Sequence, residues 1–181
     1  MAEVDTDGDG LSDAEEAILG TNPANADTNG NGFSDLTELR NGYDPVKTGV
    51  RLSSSSPVMF YNFNNAATLV YPSTWSAAED IAKDAVVFSN GEKAFIQLSA
   101  QNNDQKATDI TTWFQTEFNG LASGGNVSGP GWQGVYSPDR LTVYLMGTKA
   151  DKVYVLAYSP LTDNSASLTM FHIMIKTLTI K

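Results

Sequence analysis

Short apolar runs separated by turn residues fill the chain from residue 58 onward, and this pattern predicts a series of short β-strands. The runs lie at 58–63, 67–71, 85–89, 94–100, 141–148 and 152–158. The third and fourth runs are joined through Asn90-Gly91, a dipeptide typical of tight hairpin turns. We therefore predict a sheet that is built largely from antiparallel hairpins.

Two further segments, at about 109–121 and 165–178, repeat their apolar residues at the spacing of a helix. The predicted strands 141–148 and 152–158 carry apolar residues on both faces, so both faces of the sheet need cover. One helix on each side would supply it. We predict an α+β fold in which residues 58–181 form an αβα sandwich with a mostly antiparallel sheet. A β-sandwich adhesin is the alternative, but it leaves both helices unexplained.

The first part of the chain is polar and strongly acidic. Residues 1–49 hold eleven acids against Arg40 and Lys47, a net charge of −9, whereas residues 50–181 hold ten acids against nine bases, a net charge of −1. The net charge of −10 is therefore a local property, and two divalent cations would cancel about half of it. Neither part offers a basic surface, so we expect no nucleic acid partner.

Oxygen-bearing residues of the acidic segment stand at the offsets of an EF-hand calcium loop. Counting from the first of them, loop positions 1, 3, 5, 9 and 12 hold Asp5, Asp7, Asp9, Asp13 and Glu16. Gly10 at position 6 permits the sharp turn, and the Leu11 carbonyl at position 7 is the remaining predicted ligand. Without a bound cation, six acidic groups in twelve residues with no Lys or Arg would repel one another.

The same spacing returns 22 residues later, which makes the segment an internal repeat. The predicted ligands of this second loop are Asp27, Asn29, Asn31, the Phe33 carbonyl, Asp35 and Glu38. Every candidate ligand is an oxygen, which favours calcium over zinc, so we expect two Ca²⁺ ions. The first loop offers five carboxylates and the second offers three carboxylates and two amides. The first site should therefore bind more tightly unless crowding offsets the gain.

A short helix is predicted to follow each loop. Ser12 and Ser34 stand at the N-cap positions, and Gly20 and Gly42 stand where each helix should end. Ser12 and Glu15 have the spacing of a capping box. Each loop should therefore continue into a helix of about two turns.

The loops and the Gly20-Thr21-Asn22-Pro23 and Gly42-Tyr43-Asp44-Pro45 segments that follow their helices carry a family resemblance. Residues 3–46 resemble bacterial repeats related to the thrombospondin type 3 repeat, and the resemblance implies calcium-bound spacer segments of secreted and surface proteins. Dockerins have similar loops, but their helices are longer and their loops usually end in Asp. A calmodulin-type sensor needs an entering helix, for which the four residues before the first loop leave no room. Whether Asn22 or Asp44 adds a ligand stays open.

Residues 58–181 resemble the PsbP-like family, which has an αβα sandwich fold. The resemblance is carried by the segments Leu69-Val70-Tyr71-Pro72-Ser73-Thr74-Trp75, Trp113-Phe114, Gly134-Val135-Tyr136, Val143-Tyr144, Val153-Tyr154 and 171–174. It implies binding more than catalysis and supplies no catalytic residues. The serine-rich stretch 47–57 reads as a linker between a calcium segment at 1–46 and this domain. The pattern leaves open whether the calcium segment docks on the domain.

The second domain carries no recognisable catalytic constellation. His172 is the only histidine, and the absence of cysteine excludes disulfides and cysteine nucleophiles. Trp75, Trp132 and Tyr136 could stack on a sugar or a partner, although aromatic residues in a domain of this size usually belong to the core. We therefore predict no catalytic residues and no organic cofactor, and we do not expect an enzyme.

The sequence thus predicts a calcium-binding structural and interaction module of an exported or cell-surface bacterial protein. Calcium would stiffen the acidic segment, which presents the αβα domain to an unknown protein or a cell-surface glycan. No run is long and apolar enough to span a membrane, and we expect any signal or anchor to lie outside this sequence. The alternative is an enzyme, or an accessory domain of a secreted enzyme, that acts on polysaccharide or peptide. We expect chelation to melt residues 3–45 while the second domain stays folded.

Overall fold

A computed structural model describes residues 4–91, 94–160 and 165–181 of the chain. Its elements in chain order are α1 (Asp13–Leu19), α2 (Asp35–Arg40), β1 (Val58–Phe63), β2 (Ala67–Pro72), β3 (Ser76–Asp80), a 3-10 helix (Ile81–Lys83), β4 (Ala85–Ser89), β5 (Ala94–Asn102), α3 (Ile110–Glu117), β6 (Asn126–Gly129), β7 (Trp132–Tyr136), β8 (Thr142–Gly147), β9 (Lys152–Pro160), α4 (Ser165–Thr177) and β10 (Thr179–Ile180). The predicted α+β class with mostly antiparallel sheets is confirmed.

The chain divides into two compact units, and the division differs from the predicted one. The first unit comprises Met1–Trp75 and Ser165–Leu178, and the second comprises Ser76–Asn164 and Thr179–Lys181. The predicted boundary at 47–57 therefore falls inside the first unit. The sequence pattern could not place α4 with the acidic repeats, because the two are far apart in the chain.

The first unit joins the acidic repeats to a hairpin and a helix. Strands β1 and β2 pair antiparallel, from Val58 opposite Pro72 to Phe63 opposite Ala67. Helix α4 packs on β2, and both α1 and α2 pack on α4. Every residue of β2 is buried, as expected for a strand that is covered on both faces. The apolar face of α4 is thus buried inside this unit.

The predicted linker at 47–57 is anchored to the repeats by hydrogen bonds. The buried Asp44 carboxylate accepts hydrogen bonds from Lys47 Nζ at 3.2 Å and Ser56 Oγ at 3.0 Å. Burial raises the pKa of Asp44, but hydrogen bonds from Val46, Lys47 and Ser56 outweigh it and hold this pKa below its ordinary value. A carboxylate with these partners fixes the residues that follow it. Residues 47–57 therefore belong to the first unit and are tied to Asp44.

The second unit contains a seven-stranded antiparallel sheet in the order β3-β4-β5-β9-β8-β7-β6. Helix α3 packs on β7 and β8, where Trp113 and Phe114 join a buried cluster with Val135 and Val153. The predicted helix at 109–121 is confirmed as α3 with a shorter C-terminal end.

Two strands at one edge of this sheet were not predicted. Strand β7 begins at Trp132 and pairs with β6 so that Gly129 lies opposite Trp132. Gly131, in the turn between them, has a φ of 79°, a conformation that favours glycine. The two turn residues, Pro130 and Gly131, thus make a tight hairpin. The sequence did not predict β6 because this strand is short and has no alternating apolar pattern.

No helix in the described ranges is both long and apolar enough to cross a membrane.

Candidate metal centre

The first loop folds by turning its aspartates onto its own backbone. Asp5 accepts hydrogen bonds from the amides of Gly8 at 2.8 Å and Gly10 at 3.1 Å. Asp7 and Asp9 each accept one from the amide two residues further on, at 3.2 Å and 2.7 Å. These turns are typical of Asp, and they bring three carboxylates to one point. One oxygen from each of Asp5, Asp7 and Asp9 lies within 4.8 Å of the others.

Glu16 at loop position 12 is fully buried beside this cluster. Its Oε1 accepts a hydrogen bond from Thr21 Oγ1 at 3.2 Å, whereas its Oε2 has no partner. Asp7 Oδ2 is likewise buried without a hydrogen bond. Burial, and next the negative charge of Asp7, raise the pKa of Glu16 to about 7.

These two unpaired oxygens fit a divalent cation. Native proteins seldom leave a buried polar atom without a partner, and a bound ion can supply the partner that such an atom lacks. Four buried side-chain oxygens in the described part of the chain lack a partner, and Asp7 and Glu16 hold two of them. Calcium takes six to eight oxygens and prefers carboxylates and carbonyls. The donors of the first loop are therefore of the type that calcium prefers, oxygens that belong mostly to negatively charged carboxylates.

The aspartates at loop position 9 are held by threonine in both loops. Asp13 accepts from the Thr6 amide at 3.0 Å and its hydroxyl at 2.9 Å, and Asp35 accepts from the Thr28 amide at 2.9 Å and its hydroxyl at 2.7 Å. Burial raises the pKa of Asp35, and the two bonds from Thr28 oppose this effect. The structure thus gives both aspartates a partner that closes the loop from position 2 to position 9.

The second loop satisfies its glutamate with amides. Asp27 accepts from Gly30 N at 2.8 Å and Gly32 N at 2.7 Å, which repeats the first turn of loop 1. Asn29 Nδ2 donates to both oxygens of Glu38, at 3.1 and 2.9 Å, and Asn31 Nδ2 donates to Oε1 of the same carboxylate. An asparagine offers an NH₂ or a carbonyl oxygen, so a cation would require both amides to turn their oxygens inward. The first loop is therefore the stronger candidate site.

The short helices form as their capping residues predict. The Ser12 amide donates to Glu15 Oε2 at 2.6 Å and the Glu15 amide donates to Ser12 Oγ at 3.4 Å, which confirms the capping box. Ser34 caps α2, and Gly20 ends α1 in a left-handed conformation with a φ of 78°. These caps fix the starts of α1 and α2, and with them the directions in which the side chains of Glu16 and Glu38 point.

The two loops contact each other through a hydrogen bond from a backbone amide to a side-chain carboxylate. The Leu36 amide of α2 donates to Asp9 Oδ2 at 3.0 Å. A methyl group added to Gly10 would lie 2.9 Å from the Leu36 side chain. The second repeat therefore packs directly on the first loop, and glycine is required there for its φ of 102° as well as for space.

Two residues whose role the sequence left open are assigned by their contacts. Asn22 Oδ1 accepts from the Ala24 amide at 3.2 Å, and Asp44 binds Val46, Lys47 and Ser56, so both side chains hold turns that follow the helices. The threonines at loop position 2, Thr6 and Thr28, were not among the predicted site residues. Their repetition 22 residues apart was the available signal.

Comparison with known proteins agrees with this geometry. A family model described as the bacterial TSP3 repeat matches residues 5–26, a span that contains the whole first loop, α1 and the turn after it. The class that the repeat and the acidic cluster indicate is a calcium-binding structural module. No curated protein matches the chain.

Among solved structures, a crystal structure of a protein from Bacteroides thetaiotaomicron VPI-5482 is similar over part of the chain. The identity is 18% and the TM-score is 0.46, and the match covers 64% of this chain and 45% of that one. The chain thus spans less than half of the length of that protein.

Proposed function

We propose that this protein is a calcium-binding structural and interaction module in which the first loop is the principal calcium site. The observation that carries the proposal is the pair of buried, unpaired oxygens, Asp7 Oδ2 and Glu16 Oε2, beside the clustered carboxylates of the first loop. Asp5, Asp7, Asp9, Glu16 and the Leu11 carbonyl would hold the ion. Calcium would supply positive charge inside a loop whose twelve residues include no Lys or Arg.

Calcium bound here would link the loop to α1, because Glu16 belongs to the first turns of that helix. A ligand that binds only the folded state stabilises it by about 2.7 kcal/mol at 100 times its dissociation constant. Extracellular calcium modules have dissociation constants of about 10⁻⁴–10⁻³ M. Calcium at about 1 mM is about 1–10 times those constants, which fills at least half of such sites and stabilises the folded state by about 0.4–1.4 kcal/mol. An exported or cell-surface protein would meet this calcium concentration.

The structural role follows from what the repeats contact. Lys176 Nζ of α4 forms an ion pair with Glu15 of α1, and the Lys176 carbonyl accepts from Arg40 Nε of α2 at 2.9 Å. Calcium that orders the repeats therefore also acts on α4 and the hairpin. We propose that the ordered unit presents a surface to a protein or glycan partner.

The shifted pKa values that hydrogen bonds cause in the second unit have structural explanations. Asp109 caps α3 through the Thr112 amide at 2.9 Å, and Asp139 accepts from Ser137 Oγ at 2.6 Å; these bonds lower the pKa of both carboxyls. A hydrogen bond from Lys152 Nζ to Asp84 at 2.8 Å raises the pKa of Lys152. Each shift has a local structural cause, and we propose that this unit is not an enzyme. The PsbP-like identity of residues 58–181 stays a hypothesis.

Calorimetric titration of the whole protein with CaCl₂ tests the calcium site. Glu16→Gln removes a charged bidentate ligand without changing shape, and we expect the tighter calcium site to weaken at least about tenfold. Asp104→Asn is the matched control, because Asp104 is an exposed carboxylate outside both loops. Equal calcium binding by wild type and Glu16→Gln would refute the assignment of the first loop.

Amide hydrogen exchange tests the structural role. The contacts to α4 change the expectation that chelation melts residues 3–45 alone. We expect EGTA to speed exchange in α1, α2 and α4, while β5, β8 and β9 keep their protection. Exchange in α4 that does not respond to EGTA would show that calcium orders the loops only.

A further inference from the structure

A cavity of about 600 Å³ opens beside the second loop. Its walls include Phe33, Tyr43, Asn31, Asn41, Arg51 and Glu38. The volume lies within the range of small-molecule sites, about 300–1,000 Å³. Two aromatic rings thus share one cavity with two amides, a guanidinium and a carboxylate.

The internal repeat shows that this cavity is a departure from the first repeat. Phe33 corresponds to Leu11, at a distance of 22 residues, yet Phe33 is 61% exposed whereas Leu11 is fully buried. Asn41 corresponds to Leu19, and here too the exposed residue replaces a buried leucine. Repeat 1 uses these positions for its core. Repeat 2 holds a large aromatic side chain in solvent at the mouth of a cavity, which costs free energy unless something covers it.

The other side of the cavity is held in place before any ligand arrives. Arg51 stacks on the Tyr43 ring, with its guanidinium carbon 4.1 Å from the ring centroid, and Arg51 Nη1 donates to the Asn41 carbonyl at 2.7 Å. Tyr43 corresponds to Thr21 of the first repeat, which is small and buried. Pre-ordered side chains lose little conformational entropy on binding. The second repeat has therefore gained a second aromatic ring on a rigid support.

From this arrangement we propose that the cavity binds a neutral carbohydrate. A sugar ring presents an apolar C–H face, which packs on an aromatic ring, and hydroxyls, which exchange hydrogen bonds with the Asn41 amide and the Arg51 guanidinium at the cavity wall. The net charge of −9 on residues 1–49 disfavours anionic ligands. This function goes beyond calcium binding, and it rests on the proposal that the calcium-ordered unit presents a surface to a partner.

The test is an NMR titration of the calcium-loaded whole protein with neutral hexasaccharides of glucose, mannose, galactose, xylose and N-acetylglucosamine. We expect at least one to cause saturable shifts at Phe33, Tyr43 and Arg51. Phe33→Ala and Phe33→Leu should each weaken that binding about tenfold, because each removes a stacking ring. Ile81→Ala is the control, because it removes an apolar side chain that is 88% exposed in the second unit, and it should bind as wild type does.

Three results would overturn the proposal. The first is the absence of saturable shifts at the cavity with every sugar. The second is undiminished binding by Phe33→Leu, the residue type of the first repeat, because apolar bulk alone would then be sufficient. The third is a concentration-dependent dimer that Phe33→Ala abolishes, which would make this face an interface between copies. Calcium titration of Phe33→Ala separates the two functions, because the variant keeps the carbonyl at position 33 and should bind calcium normally.

Discussion

The ion pair between Glu15 and Lys176 should be a main support of the first unit. Glu15 is fully buried in α1, and Lys176 is near the C-terminal end of α4. We expect Lys176→Met to destabilise the first unit, because it removes the ammonium and keeps most of the apolar stem. The Lys176 carbonyl still accepts from Arg40, so the substitution changes the ion pair and leaves the backbone contact between α2 and α4.

The magnitude follows from the burial of the two partners. Removing one partner of a fully buried pair costs about 3–5 kcal/mol. Lys176 keeps 31% of its side chain exposed, and Glu15 Oε2 keeps the hydrogen bond from the Ser12 amide at 2.6 Å. Solvent and this remaining bond both lower the cost. We therefore expect a loss of about 2 kcal/mol, which lies within the range of about 1–3 kcal/mol for a buried group left unsatisfied.

The assay is the opening free energy of α1 and α4 from amide hydrogen exchange at saturating calcium. Lys83→Met is the matched control, because Lys83 pairs with Asp80 at 3.1 Å in an exposed setting. Exposed pairs contribute about 0–1 kcal/mol, so this variant should behave nearly as wild type does. Adding Glu15→Gln to Lys176→Met should restore part of the loss, because it removes the uncompensated buried charge. A Lys176→Met protein as stable as Lys83→Met would refute the reasoning.

The remaining predictions concern pH, backbone and core. Burial raises the pKa of Glu16 to about 7, and calcium must displace the proton that Glu16 binds below this pH, so calorimetry should show calcium affinity falling as pH drops through 7. The metal-free protein should lose stability as pH rises from 4.5 to 7, because Glu16 ionises first in the unfolded chain. Glu16→Gln should lose both pH effects. Gly10→Ala should weaken calcium binding more than Gly8→Ala, since both have left-handed backbone but only Gly10 has a side chain, at 2.9 Å, in the space for a methyl. Phe114→Ala should cost about 3–5 kcal/mol in urea denaturation, against under about 0.5 kcal/mol for the half-exposed Leu121→Ala.

The parts of the fold that were predicted correctly depend on local pattern. The capping box of Ser12 and Glu15 and the left-handed Gly20 are set by residues within a few positions of one another. Strand β1 was predicted with its observed bounds, and β4 likewise, because turn residues flank an apolar run. Strand β3 was missed, because most of its residues are exposed and it has no apolar alternation to detect.

Local spacing also determines the cluster of carboxylates in the first loop. The spacing of Asp5, Asp7 and Asp9 alone predicted that their carboxylates would converge, because a tight turn makes convergence a local property. The cavity beside the second loop was not predicted, because the loop pattern predicts a role for the Phe33 carbonyl and none for its side chain. The difference between the two repeats becomes visible when the exposure of Phe33 is compared with that of Leu11, and exposure depends on the tertiary structure.

The sequence by itself determined the two loops, the helices that follow them and the α+β class. Each of these is encoded in spacing, capping and apolar periodicity over fewer than about 20 residues. Only the tertiary structure decided which elements share a unit. The contacts of Lys176 with Glu15 and Arg40 join residues 161 and 136 positions apart, and no local pattern marks such partners. The calcium-binding segment, whose docking the sequence left open, is therefore part of a folded unit, because α1 and α2 pack on a helix near the other end of the chain.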